Sequence, residues 1–240
     1  MKEVSKVLRQ TGRRTVTISL FHPIPTPKSG QIRVACVGDS ITYGYRVQGR
    51  RRNSYPSQLE KLLGDGYCVG NFGYSGCTAQ KNGDHPYTDR KLYRQSLAWK
   101  PDLVLLMLGT NDSKPYNWSA AAYARDMEQL IDAYKAAGSR ICLLTPLPAF
   151  PVNGAVKFDI SSEVLESEVL PICHALSQRK DVQLIDVRGS FEGRPDLFAD
   201  GVHPNRLGAE VLAGSISRTA AGADPLRFPV RQRCEKGEKK

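Results

Sequence analysis

Short apolar runs alternate along the chain with longer stretches of helical periodicity. The runs are Val34-Ala35-Cys36-Val37, Tyr67-Cys68-Val69, Leu103 to Leu108, Ile141 to Leu144 and Val182 to Ile185. Each has strand length, and their nearly continuous apolar character points to burial on both faces. Between them, Ser54 to Leu63 sets Leu59, Leu62 and Leu63 on one side of a helix. Ser119 to Ala137 opens with an N-cap serine and spaces Tyr123, Met127, Leu130, Ile131 and Tyr134 along one helical face. Ser162 to Gln178 repeats the pattern through Leu165, Val169, Ile172, Cys173 and Leu176, with Pro171 predicting a kink or break. A last helix is expected from about Asn205 to Ala220. Five strands alternating with helices predict a doubly wound α/β fold, a three-layer α/β/α sandwich on a five-stranded parallel sheet, because right-handed crossovers lay helices on both faces. Pro23, Pro25 and Pro27 mark residues 1–30 as an N-terminal extension, which leaves one domain over residues 31–222 and a basic C-terminal tail over 223–240.

Composition agrees with this picture and narrows it. The 240 residues suffice for one substantial core, and 40% hydrophobic and 24% charged residues fit a globular protein. The run Leu103 to Leu108 is far shorter than the roughly 20 residues of a bilayer span, so no membrane partner is expected. No long apolar stretch follows the basic amino terminus, and the chain reads as cytoplasmic. Six cysteines (Cys36, Cys68, Cys77, Cys142, Cys173, Cys234) are too scattered for a disulfide scaffold and form no C-x-x-C pair. Cys36 and Cys142 sit inside apolar runs and read as core residues. The net charge of +10 is concentrated in residues 1–14, the loop Arg46 to Arg52 and residues 226–240, each carrying +4, so the body of the protein is close to neutral. Basic tails of this kind read as solvated segments, and no nucleic-acid partner is expected.

In doubly wound sheets ligands collect at the carboxyl ends of the strands. Gly38-Asp39-Ser40-Ile41-Thr42 follows the first predicted strand, Asn71-Phe72-Gly73-Tyr74-Ser75-Gly76 the second and Gly109-Thr110-Asn111-Asp112 the third; Asp200-Gly201-Val202-His203-Pro204 follows the fifth after a loop. A serine, a histidine, a carboxylate three residues before it, an amide and a glycine then converge on one crevice. Acyl transfer needs this inventory: a hydroxyl nucleophile, a base, a group to orient the base, and donors for an oxyanion. Taken alone, Gly-Asp-Ser is also a turn that caps the next helix. Of the other histidines, His22 lies in the tail, His85 in a polar loop and His174 in a helix. Asp112 is expected to bond backbone, and Asp186, at the end of the fifth strand, is an alternative orienting acid.

These four segments resemble the conserved blocks of the GDSL or SGNH hydrolases, serine esterases and lipases of flavodoxin-like fold, over Arg33 to about Leu212. The resemblance implies Ser40 as nucleophile, His203 as base and Asp200 as its orienting acid. It also implies an oxyanion hole made of the Ser40 and Gly73 backbone N–H groups and the Asn111 amide, with no metal and no organic cofactor. A residue without a side chain at 73 would let an ester carbonyl approach the backbone. The nucleophile segment lacks the second glycine of G-x-S-x-G and so differs from an α/β-hydrolase elbow.

Finer text, Ser54-Tyr55-Pro56, Asn71-Phe72-Gly73, Gly83-Asp84-His85-Pro86-Tyr87 and Gly109 to Lys114 followed by Asn117-Trp118, is similar to bacterial carbohydrate O-acetylesterases, including sialate-type ones. That similarity implies an acetyl ester on a small sugar or oligosaccharide as substrate. Tyr74, Tyr87, Tyr116 and Trp118 are candidates for an aromatic wall against a sugar face, the alternative being that most of them pack structurally. Arg46, Arg50, Arg51 and Arg52 read first as a solvated, mobile loop, and second as a rim of the crevice that attracts a sugar carboxylate, with Arg46 as the candidate contact. No apolar insertion offers a lid for a long acyl chain, so short acyl groups are expected. Other readings are an arylesterase, thioesterase or lysophospholipase of the same fold, or a non-catalytic carbohydrate-binding protein. The oligomeric state is left open.

Overall fold

Alternation within the apolar runs assigns each strand residue to a layer. In the computed structural model, which describes residues 23–222 with side chains as far as Arg218, the strands are β1 (Ile32–Gly38), β2 (Tyr67–Gly73), β3 (Leu103–Met107), β4 (Arg140–Leu144) and β5 (Gln183–Ile185). The helices are α1 (Ser40–Tyr43), α2 (Arg50–Asn53), α3 (Tyr55–Leu63), α4 (Lys91–Ala98), α5 (Ala120–Ala136), α6 (Ser162–Val164), α7 (Leu170–Arg179) and α8 (Arg206–Gly222). The expectations for residues 1–22 and 223–240, including both tails, lie outside the described residues. All four strand pairings are parallel and the order is β2-β1-β3-β4-β5. On one face Val34, Cys36, Leu103, Leu105, Met107, Cys142 and Leu144 pack with Tyr55 and Leu59 of α3 and Leu212, Ala213 and Ile216 of α8. On the other, Ala35, Val37, Val104, Leu106, Ile141 and Leu143 pack with Tyr123, Met127, Leu130, Ile131 and Tyr134 of α5 and Cys173 and Leu176 of α7. Each of the Val, Leu, Ile and Met side chains among them contributes about 1.5–3 kcal/mol on leaving water, and the two cores share the sheet as a common wall.

The sheet turns outward in both directions from β1, so the β1 edge between β2 and β3 is the switch point where such folds open a crevice. β2 is longer than its apolar run because Gly70-Asn71-Phe72-Gly73 carries on the ladder to the pair Gly38↔Gly73. Glycine and asparagine are poor strand formers, which hid this half of the strand from periodicity. Pro171 does not break its helix outright. The turn over Leu165–Val169 widens to π geometry, with the Leu170 N–H donating to Leu165 O, and α7 restarts with the proline in its first turn. Among the described residues no helix is long and apolar enough to cross a membrane.

Candidate active site

Asp39 follows β1 and caps α1: its Oδ1 accepts the Ile41 N–H at 2.9 Å. Ser40 thereby becomes the first residue of the helix, where its own N–H has no intrahelical acceptor. Gly38 is required here, since a Cβ would stand 2.3 Å from Thr42 Oγ1 and 2.5 Å from Met107 O. Below the turn, Thr42 Oγ1 hydrogen-bonds Tyr55 Oη at 3.1 Å, so the buried tyrosine of Ser54-Tyr55-Pro56 buttresses the helix that carries the serine.

His203 arrives from the far end of the chain. Asp200 Oδ1 accepts the backbone N–H groups of Val202 (3.2 Å) and His203 (2.9 Å), folding residues 200–203 into a tight turn. Gly201, at φ 86°, closes it, and the Phe150 N–H donates to Gly201 O at 2.9 Å. The turn presents the imidazole so that Nδ1 lies 3.0 Å from both Asp200 carboxylate oxygens and Nε2 lies 3.0 Å from Ser40 Oγ. An Nδ1–H donated to Asp200 leaves Nε2 as acceptor for the serine hydroxyl. All three side chains are buried. Burial pushes the Asp200 carboxyl up, but the His203 N–H and imidazole and the Val202 N–H outweigh it and hold Asp200 below its usual range. His203 is held low by burial, against the pull of Asp200 and with help from the Arg46 charge. An anionic aspartate beside a neutral imidazole is the state a general base requires.

Asn111 follows β3, and its Nδ2 donates to Cys77 O at 3.1 Å and reaches Asp39 Oδ2 at 3.4 Å, a long contact that commits its second hydrogen weakly. The asparagine is held from behind: Asn117 Nδ2 donates to Asn111 O (3.0 Å) and to Asp84 Oδ1 (2.9 Å), and Lys114 Nζ pairs with Asp84 Oδ2 (3.2 Å). Asp112 accepts the N–H groups of Ala79 (3.0 Å) and Gln80 (2.8 Å), the backbone role expected for it. Burial raises the carboxyls beneath the serine, Asp39 to about 7 and Asp112 to about 6.

Several expected residues are placed differently. The Gly73 N–H is not open to a ligand: it donates to Asn71 Oδ1 at 3.0 Å, and the same amide donates to Thr42 O at 2.9 Å. A Cβ at 73 would stand 2.2 Å from Tyr43 N, so this glycine admits the α1 backbone and not an ester carbonyl. Gly76 differs. It sits at φ 82° in the turn closed by Cys77 N–H to Tyr74 O, beside the carbonyl that Asn111 holds, and among the described residues its N–H has no acceptor. The signal was the glycine closing Tyr74-Ser75-Gly76. Asp186 is not an alternative orienting acid, since its Oδ1 accepts Thr145 Oγ1 (3.0 Å) and the Arg188 N–H (2.9 Å).

The aromatic wall is also relocated. Tyr87 is fully buried and donates to Phe72 O at 2.7 Å, Trp118 packs on Tyr123 at 5.5 Å, and Tyr116 stands exposed near Lys114. Tyr74 is half-buried with the Arg90 guanidinium 5.6 Å from its ring centroid. The rings on His203 are Tyr45, edge-on at 4.7 Å, and Phe158, edge-on at 5.1 Å. Of the arginine loop, Arg50 lies over Tyr43 at 3.9 Å and starts α2, whereas Arg46 brings its Nε to 3.6 Å from Asp200 Oδ2.

Fold and site together define a class: a flavodoxin-like α/β protein with a hydrogen-bonded serine, histidine and aspartate at the carboxyl edge of its sheet. A model described as the GDSL-like Lipase/Acylhydrolase family matches residues 36–211, and the chain belongs to that family. It is 38% identical over 215 residues to an acetylxylan esterase of Xylanibacter ruminicola, covering 81% of this chain and 44% of that one. The chain spans less than half the length of the curated relatives it matches. Similar solved structures include a lipase/acylhydrolase from Enterococcus faecalis (22% identity, TM-score 0.67, 80% of this chain and 96% of that one). A carbohydrate acetylesterase from Sinorhizobium meliloti has 21% identity and a TM-score of 0.61, over 80% of this chain and 99% of that one. At these identities the structural likeness establishes the fold.

Proposed function

We propose that the protein is a serine esterase that removes short acyl groups, acetyl above all, from carbohydrate hydroxyls. The observation that carries the reading is the series Ser40 Oγ, His203 Nε2, His203 Nδ1 and Asp200, with each link at 3.0 Å. Similarity to an acetylxylan esterase supports the choice of substrate. Small acyl groups fit the surface: among the described residues the well-exposed large hydrophobics are Tyr45, Leu62, Tyr116, Phe158 and Leu207, which do not make an acyl-chain lid.

In the mechanism, His203 Nε2 takes the Ser40 proton as Oγ attacks the acetyl carbonyl. The negative oxygen is received by the Ser40 N–H, the weakly committed second hydrogen of Asn111 Nδ2 and, in place of Gly73, the Gly76 N–H. The tetrahedral intermediate collapses as the C–O bond to the sugar breaks, and His203 returns the proton to the departing sugar oxygen. Water, deprotonated by the same nitrogen, attacks the acetyl-serine, and acetate leaves as Ser40 recovers its proton. Asp200 holds the imidazole in the required tautomer and balances its transient charge.

The test is acetate release from acetylated xylan fragments, O-acetyl sialic acid and p-nitrophenyl esters of increasing chain length, with Ser40→Ala as control. Ser40-dependent release from a sugar is expected, falling off with acyl length on the aryl esters. Release from aryl esters alone would keep the esterase chemistry and remove the carbohydrate.

A further inference from the structure

The leaving alcohol in this chemistry is protonated by His203, so the carbon framework of that alcohol must sit one bond beyond a hydrogen bond from Nε2. Two rings already occupy the surroundings of that imidazole. Tyr45 is 37% exposed and Phe158 44% exposed, with centroids 4.7 and 5.1 Å from the His203 ring. They come from unrelated segments. The Tyr45 N–H donates to Ser40 O at 2.9 Å, which ties its ring to the nucleophile's own turn, and the Arg46 guanidinium lies 5.2 Å from its centroid. Phe158 belongs to the connection from β4 to α6, which is stitched to the histidine turn by Phe150 N–H to Gly201 O.

Phe158 also carries a backbone cost. It stands at φ 63°, ψ 26°, and Asp159 follows at φ 57°. A left-handed conformation is rare for a bulky residue, because its Cβ is pressed toward the following carbonyl oxygen. Glycine or asparagine would serve the turn more cheaply, as Asn153 and Gly154 do earlier in the same connection. A large apolar ring held out at this cost, half in water and against a base, points to use by a ligand.

We propose that Phe158 and Tyr45 form the sugar-binding rim of the site, the pyranose ring that bears the scissile acetyl packing its C–H face on Phe158 while Tyr45 walls the leaving side. The C–H bonds of a pyranose face are apolar and weakly positive, and they match the negative face of an aromatic ring. This inference rests on the carbohydrate reading and extends it by naming the residues that select a cyclic alcohol over an acyclic one. Binding energy from the sugar's remote atoms is then available to orient the ester toward Ser40.

The experiment compares kcat/KM on acetylated xylo-oligosaccharides with kcat/KM on ethyl acetate, whose leaving alcohol has no ring to stack. Phe158→Leu keeps an apolar side chain but lacks a face, and Tyr45→Leu does the same. Each is expected to lower the sugar-to-ethyl ratio at least tenfold, mainly through KM on the sugar, with Phe158→Tyr restoring most of it. Deacetylated xylo-oligosaccharide is expected to inhibit wild-type hydrolysis of ethyl acetate competitively and the leucine variants at least tenfold more weakly. A purely structural role for the rings would depress both substrates equally and leave the ratio unchanged, which overturns the rim assignment. Wild-type protein that hydrolyses ethyl acetate but no acetylated sugar would instead overturn the carbohydrate reading, and the rim with it. If a leucine variant fails to fold, the inhibition constant and sugar ratio of the soluble Phe158→Tyr variant, set beside those of Phe158→His, decide between the two.

Discussion

The floor of the site and its rim are built by different rules. On the floor, Gly38, Asp39, Ser40 and the Asp200–His203 turn are buried, and each aspartate accepts backbone N–H groups two or three residues ahead of it. At the rim, Tyr45, Arg46 and Phe158 are partly exposed, and Arg46 and Phe158 take left-handed backbone angles. Local sequence specifies the floor, because a capping aspartate, a close-packed glycine and an aspartate three residues before a histidine each fix their own turn. Tertiary contact assembles the rim, where residues 45 and 158 meet only through the imidazole between them in the fold.

This contrast is sharpest in the expected losses. Ser40→Ala and His203→Ala should each lower kcat by on the order of 10⁴-fold or more, and the double variant should lose little beyond either single one, because the two act as a unit. Multiplicative losses in steady-state kinetics would separate them. Asn111→Ala removes one oxyanion donor and should reduce kcat by about 10²–10³-fold with little change in KM.

Gly73→Ala tests whether position 73 belongs to the chemistry or to the packing beneath it. Its Cβ would meet the Tyr43 N and Thr42 C atoms, so the variant should lose at least about 2 kcal/mol of stability, seen as a fall in Tm of several degrees. An unchanged Tm with a kcat loss as large as that of Asn111→Ala would return the oxyanion role to Gly73.

The smallest effect belongs to the rim. The positive charge of Arg46 disfavours imidazolium at His203, and Arg46→Gln should therefore raise the pKa of the base. The acid limb of the kcat/KM profile should move to higher pH, with activity lost on the acid side and the plateau retained. Because Arg46 is half exposed, high salt should shrink the shift between variant and wild type. A limb that does not move, or moves to lower pH, would show that Arg46 leaves His203 untouched.

The same division explains what could be read in advance. Apolar runs placed all five strands, and Ser119 marked the start of α5, where its Oγ accepts the Ala122 N–H at 3.4 Å. Helix α4 is hard to read in the sequence because it is only eight residues long and its core face mixes Leu92, Tyr93 and Leu97 with the buried Ser96. Ser40 is legible as a residue type at a strand end, and Asp200 and His203 as a pair on a loop beyond the fifth strand; the structure brings the three side chains within hydrogen-bond distance. Gly73 and Gly76 were not distinguishable in the same way: both are glycines beyond an apolar run, and only the extension of β2 through Gly73 separates a packed one from an open one. The aromatic wall misled for a similar reason. Tyrosine serves core and surface alike, and nothing around Tyr87 in the chain announces its bond to Phe72 O.

The separation of 163 in sequence from Ser40 to His203 also has a consequence for the order in which the protein is made. Synthesis delivers the nucleophile's turn with the first strand, but the histidine comes after the fifth, and α8, which packs against α3, comes later still. A nascent chain, or one released early by truncation before residue 203, carries an ordinary alcohol at Ser40 with nothing to take its proton. Under the proposed mechanism, hydrolytic competence would be tied to completion of the sheet, and chains cut before residue 203 should be inert toward esters.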